Sequence, residues 1–142
     1  MLPSNDFFSP KNSNAMTTQE AVMTTQEVAD RFSQLAQQNN WMQIQDELFA
    51  DNAVSIEPSH ASNMGMPNAE GKEAIRKKGE IFQNMVEEVH GGFTTEPVVA
   101  GNHFAVGMTM DATMKGQGRS KMEEICVYEV KNGKITKEQF FF

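Results

Sequence analysis

Cysteine is almost absent from this chain: Cys126 stands alone. One thiol makes neither an internal disulfide nor a structural zinc centre, and the lack of a cysteine framework suits a reducing compartment, so the cytoplasm is the expected location. Cations are scarce too, with 12 Lys and Arg against 19 Asp and Glu and a net charge of -7. Nucleic-acid binding rests on clustered cations that displace counterions, and the longest basic stretches are only Arg76-Lys77-Lys78 and the segment from Lys131 to Lys137. Nucleic acid is therefore not an expected partner. No apolar run approaches the ~18 residues of a membrane span, and the opening MLPSNDFFSPKNSNAM lacks the basic start and apolar stretch of a secretory signal. Neither membrane contact nor export is expected. A chain of 142 residues suffices for one core or one enclosed pocket, and not for two catalytic domains.

What is present divides in two. Residues 1–23 are rich in Ser, Asn, Pro and Thr, and Met16-Thr17-Thr18-Gln19-Glu20 recurs as Met23-Thr24-Thr25-Gln26-Glu27. Ser13-Asn14-Ala15 before Met16 resembles a protease-cleavage scar. This N-terminal extension is either a remnant of recombinant expression or an extended arm docked through Phe7 and Phe8. The domain proper is expected over 24–142.

Thr24-Thr25-Gln26-Glu27 reads as a capping box ahead of an apolar stripe, Val28, Phe32, Leu35 and Ala36, which predicts a helix over 25–38. Asn39-Asn40 breaks it, and Trp41, Ile44, Leu48 and Phe49 form a second short amphipathic helix. A strand follows over 53–57, stopped by Pro58. Residues 59–71 show no periodicity and make a loop long enough to act as a lid. A third helix is predicted over 72–89, with Ile75, Phe82, Met85, Val86 and Val89 on one face and His90-Gly91-Gly92 as its stop. The remainder reads as strands over 93–100, 104–115, 119–130 and 134–142, with Asn132-Gly133 as a hairpin signal. The second of these alternates cleanly: Phe104, Val106, Met108, Met110, Ala112 and Met114 fall on one face. The predicted order is α-α-β-α-β-β-β-β, an α+β domain with helices on one face of a curved, mostly antiparallel sheet.

The segment Leu48-Phe49-Ala50-Asp51-Asn52-Ala53-Val54-Ser55-Ile56-Glu57-Pro58, the following Glu70-Gly71-Lys72-Glu73-Ala74-Ile75, and the ending Met122-Glu123-Glu124-Ile125-Cys126-Val127-Tyr128-Glu129-Val130-Lys131-Asn132-Gly133-Lys134-Ile135 resemble the SnoaL-like branch of the nuclear-transport-factor-two-like superfamily. The resemblance implies a cone-shaped fold whose open end is a ligand pocket, no metal or organic cofactor, and a homodimer formed through the outer face of the sheet. It is specific for fold and weakly specific for chemistry, since isomerases, cyclases, dehydratases and non-enzymatic modules share it. The related ketosteroid isomerases carry a general-base aspartate just before a proline in the short strand, and here Glu57 before Pro58 fills that slot. Their oxyanion donors, a tyrosine in the first helix and a protonated aspartate in the meander, correspond to Ser33 (or Phe32) and Cys126. Both donors are missing, so steroid isomerisation does not transfer. SnoaL-type cyclases use an acid in the meander, and by alternation Glu124 shares a face with Met122, Cys126 and Tyr128, as Glu138 does with Phe140 and Phe142.

Two readings stand for each candidate. Glu57 and Glu124 are the catalytic candidates: a carboxylate desolvated in an apolar cone is pushed toward the pH where it serves as acid and base. The plain alternatives are that Glu57 ends a strand and meets solvent or a lysine, and that Glu124 pairs across strands with a cation. Cys126 has no basic sequence neighbour and reads as a buried, inert thiol that lines the pocket. His60 lies in the lid, and none of the three histidines has metal-ligand spacing. Met64 and Met66 in the lid, with Met108, Met110, Met114 and Met122 in the sheet, make either a soft lining for a small hydrophobic ligand or ordinary core. Glu138, Phe140 and Phe142 complete the expected ligand-binding set. The leading expectation is a cofactor-independent isomerase or cyclase working by proton transfer; the alternative is a non-catalytic binding or dimerisation module.

Overall fold

A computed structural model describes residues 22–142, so the expectations for the extension, including Phe7 and Phe8, lie outside the described residues. Helix α1 (Thr25–Gln37) starts where the capping box requires. The Thr24 hydroxyl accepts from the Glu27 amide at 3.1 Å, and the Glu27 carboxylate accepts from the Thr24 amide at 2.8 Å. Its stripe of Val28, Ala29, Phe32, Leu35 and Ala36 is buried. Helix α2 (Trp41–Leu48) is clamped to α1 by Arg31, whose guanidinium donates twice to Glu47, at 2.6 and 2.9 Å. That paired hydrogen bonding holds the Glu47 carboxyl down at about 2.

Phe49 opens strand β1 (Phe49–Ile56) instead of closing α2, so the strand is longer than the five residues expected. The segment expected to be an irregular lid contains a short 3-10 helix (Ser59–Met64), a left-handed Gly65 and strand β2 (Ala69–Glu70), which pairs with β1. Buried Ala61 ties this segment to the body, and its carbonyl accepts from Met66.

Helix α3 spans Lys72–Met85, four residues short of the expected end. Val86–Thr94 is strand β3, antiparallel to β5 (His103–Met114), and His90-Gly91-Gly92 lies inside that strand instead of stopping a helix. Val86 and Val89 fit a helical stripe locally, but the long β5 offers partners for the backbone groups of the whole segment, and ladder pairing overrides a weak local preference. Gly92 is needed there, since a Cβ would sit 3.1 Å from the Thr109 carbonyl oxygen. The single strand expected over 93–100 is broken after Thr94, and β4 (Val98–Ala100) resumes pairing with β5.

Strands β6 (Gly118–Lys131) and β7 (Lys134–Phe141) complete a sheet ordered β2-β1-β7-β6-β5-β3, with β4 also on β5. The β6–β7 turn places Asn132 and Gly133 at φ 51° and 75°, the left-handed pair of a type I′ hairpin. Bulges in β3, between β1 and β7, and between β6 and β7 bend the sheet around the helices. The core lies in that concavity: Phe32 of α1 packs on Phe104 and Tyr128, with ring centroids 5.3 and 4.8 Å away. This is a cone-shaped α+β domain with a parallel β1–β7 pair in an otherwise antiparallel sheet.

The convex face is different. Phe93 (65% exposed), Val98 (72%), Ile125 and Phe141 all project from it, because the register sets them opposite the inward rows of Met108, Phe104, Cys126 and Phe140. Among the described residues no helix is long and apolar enough to cross a membrane.

Candidate functional site

Three elements converge on one buried polar cluster. In β1, alternation turns Ala53 and Ser55 inward, both fully buried, and carries Glu57 on the same side just past the strand end. In β7, Glu138 is the partner of Ser55 across the parallel pair, and it faces Tyr128 of β6 while Phe140 faces Cys126. Helix α3 crosses above, and Lys78 sits three residues after buried Ile75 and four before Phe82, within the apolar stripe.

Lys78 therefore points inward. Its Nζ donates to Ser55 Oγ and to Glu57 Oε2, both at 2.7 Å, and lies 5.4 Å from the centre of the Phe140 ring. The Glu57 and Lys78 side chains are 7% and 8% exposed, so this ion pair is largely desolvated. The Glu57 amide donates to Asn68 Oδ1 at 2.7 Å, which pins the carboxylate's backbone to the chain leading into β2. Ser55 Oγ accepts a hydrogen bond from Lys78, and its side chain also hydrogen-bonds Glu138.

Glu138 is buried, and burial pushes its carboxyl up to about 7. The Ser55 hydrogen bond and the Lys78 charge pull the other way, while Glu57 and Glu124 add to the rise. Glu124 is half-buried and is raised too, first by burial, with Cys126 Sγ donating to its Oε1 at 3.5 Å in opposition. Burial drives the Cys126 thiol far up, and Tyr128 likewise, so neither is an anion near neutral pH. The cluster thus holds one carboxylate paired with a buried cation and a second, Glu138, whose carboxyl burial raises to about 7. Two acids whose surroundings separate their protonation can act as base and acid in one site.

Of the residues singled out from sequence, Glu57, Glu124, Cys126, Glu138 and Phe140 come together here. Met110 and Met122 face each other across β5 and β6, further along the concave face, and both are half-buried. The His60 ring meets Phe142 edge to face at 5.2 Å, with both residues exposed, and Met64 is 62% exposed on the 3-10 turn. Lys78, Ser55 and Asn68 were not anticipated. For Lys78 a signal existed: a lysine at the spacing of Ile75 and Phe82 interrupts an apolar face, although the basic run Arg76-Lys77-Lys78 disguised it.

Two open hollows lie outside the cluster. One, of about 430 Å³, is lined by Asp30, Ser33, Gln34, Gln37, Gln38 and Glu96. The other, of about 320 Å³, runs over Gly107 beside Thr95, Ile125 and Phe141, and reaches Glu124. Among the described residues no group of three His, Cys, Asp or Glu side chains is arranged to hold a metal.

A model of the SnoaL-like domain matches residues 23–142. A structure assigned as a SnoaL-like polyketide cyclase (carbohydrate phosphatase) from Mesorhizobium loti is 38% identical, with a TM-score of 0.78 over 84% of this chain and 100% of that one. A structure assigned as a polyketide cyclase from Sinorhizobium meliloti shares the fold at 16% identity, with a TM-score of 0.59 over 80% and 93% of the two chains. A hypothetical protein with a ketosteroid isomerase-like fold from Catenulispora acidiphila, in complex with trimethylamine, shares it at 21% identity, with a TM-score of 0.57 over 70% and 72%. No curated protein matches.

Proposed function

The chain belongs to the SnoaL-like domain family, and from that premise we propose that it binds a small hydrophobic molecule at the concave face of the cone and isomerises or cyclises it by proton transfer, without a cofactor. The observation that carries this reading is the convergence of the buried Glu57–Lys78 ion pair with the buried Glu138 across the β1–β7 pair, where burial pushes the Glu138 carboxyl up to about 7. Glu57 is the base and Glu138 the acid, and Glu124 supplies a second raised carboxyl along the same wall. Met110, Met122 and Phe140 offer apolar surface to the ligand, and His60 and Phe142, whose rings meet edge to face, are its proposed further contacts. Cys126, buried and protonated, lines the site without reacting. A buried free thiol suits a reducing, cytoplasmic setting.

Exchange of solvent deuterium into a panel of enolisable aromatic ketones, followed by proton NMR, tests the chemistry. The wild-type protein should accelerate exchange for at least one ketone, and Glu57→Gln should slow it about a hundredfold, the scale of a removed general base. Equal rates for the two proteins would remove Glu57 from the role of base.

The convex face favours a second reading alongside the first, association of two copies. Phe93, Val98, Ile125 and Phe141 form an apolar band on a sheet face that no element covers among the described residues. A homodimer through this face is expected, and light scattering at micromolar concentration should give twice the chain mass. Phe93→Glu with Ile125→Glu should give the monomer mass, and a wild-type monomer would contradict the reading.

A further inference from the structure

We propose that Lys78 is itself a catalytic residue: its ammonium receives the negative charge that forms on the carbonyl oxygen of an enolisable substrate when Glu57 removes the proton from the adjacent carbon. This rests on the proton-transfer reading above and specifies its substrate class, a carbonyl compound with an acidic neighbouring C–H. A carbonyl that loses an α-proton needs a donor aimed at its oxygen, and the positions matching the ketosteroid isomerases' donors cannot supply one. Phe32 is hydrocarbon buried against Phe104 and Tyr128. Ser33 lines the hollow on the outer side of α1. The Cys126 thiol is spent on Glu124.

Lys78 has what those positions lack. An ammonium carries three N–H donors, and Ser55 and Glu57 take two. The charge balance also closes. Before the step, Glu57 is an anion, Lys78 a cation and the substrate neutral. The C–H bond breaks, its electron pair becomes the new C=C bond, and the carbonyl π pair moves onto oxygen, while the proton forms an O–H bond on Glu57. Afterwards Glu57 is neutral, and Lys78, still protonated, faces the enolate in place of the carboxylate. The buried cation is thus never unpaired, and the desolvation that penalises isolated charge favours the transfer of its partner. Where the substrate carries a C=C beyond the deprotonated carbon, the anion extends over it: Glu138 protonates the far carbon, the C=O re-forms and the double bond shifts by one position, whereas a simple ketone is protonated again at the original carbon. Exchange with water then returns a proton to Glu138 and takes one from Glu57.

The neutral Glu57 of the intermediate is imitated by Glu57→Gln, which leaves Lys78 without its anion. The probe is para-nitrophenol, whose phenol and phenolate forms absorb at different wavelengths, with para-nitrotoluene as a neutral control of the same shape. Glu57→Gln should bind the phenolate about tenfold more tightly than wild type, on the scale of one charge-assisted hydrogen bond. Adding Lys78→Met to that variant should abolish the phenolate band while para-nitrotoluene still binds. If Glu57→Gln binds both probes alike, or the double variant keeps the phenolate, Lys78 is not the acceptor of charge and the ligand-site reading survives. If neither probe binds any variant while all remain folded by circular dichroism, the ligand site fails and this proposal with it.

Discussion

Lys78→Met should cost the domain about 3–5 kcal/mol, because it strands the Glu57 carboxylate in a site that is only 7% exposed. It also removes the donor to the fully buried Ser55. Domains of this size have only about 5–15 kcal/mol in total, so the variant should unfold at a much lower urea midpoint. The double change Glu57→Gln with Lys78→Met should recover most of that loss, since two neutral side chains of similar shape have no charge to desolvate. Lys78→Met within 1 kcal/mol of wild type would show that water reaches the pair freely, and the chemical role assigned to it would lose its basis.

Glu138 should make stability fall as pH rises. Its folded value of about 7 stands above the ordinary glutamate value of 4.5, so between those limits the folded state holds more protons than the unfolded one. The contribution is fully present below pH 4.5, is lost as pH rises through about 7, and totals about 3 kcal/mol at 1.36 kcal/mol per unit. Glu124 acts in the same direction. Glu47 and Asp111 are lowered, so their contributions are present above the unfolded value and lost on acidification, outside this window. Glu138→Gln should remove most of the decline and be more stable than wild type at about pH 8. Urea melts at a series of pH values are the measurement, and a flat wild-type profile between about pH 5 and pH 8 would place Glu138 in contact with solvent.

The readable parts of this fold share a property: their cause lies within a few residues. Thr24 and Glu27 cap α1 across three positions, β5 declares its buried face by strict alternation, and Asn132-Gly133 announces its turn. Strand β3 looks from sequence like the end of α3 because Val86 and Val89 satisfy a helical spacing locally, whereas the groups that pair with them lie in β5, more than twenty residues on. The 3-10 turn was missed for a related reason, since its anchor, Ala61, has no local mark beyond being small and apolar.

The candidate site divides along the same line. The α+β class, the grouping of Met122, Glu124, Cys126 and Tyr128 on one face of β6, and the placing of Glu57 at the end of β1 before Pro58 were legible along the chain, because alternation and turn chemistry are local; which face of β6 turns inward was not. Packing alone brings Lys78, twenty-one residues away, onto Glu57, joins both through Ser55 to Glu138, and buries Glu138 so that its carboxyl rises to about 7. Ionisation in an interior is set by which charges and dipoles stand within a few ångströms and by how much water is excluded, and both follow from packing α3 across the β1–β7 pair.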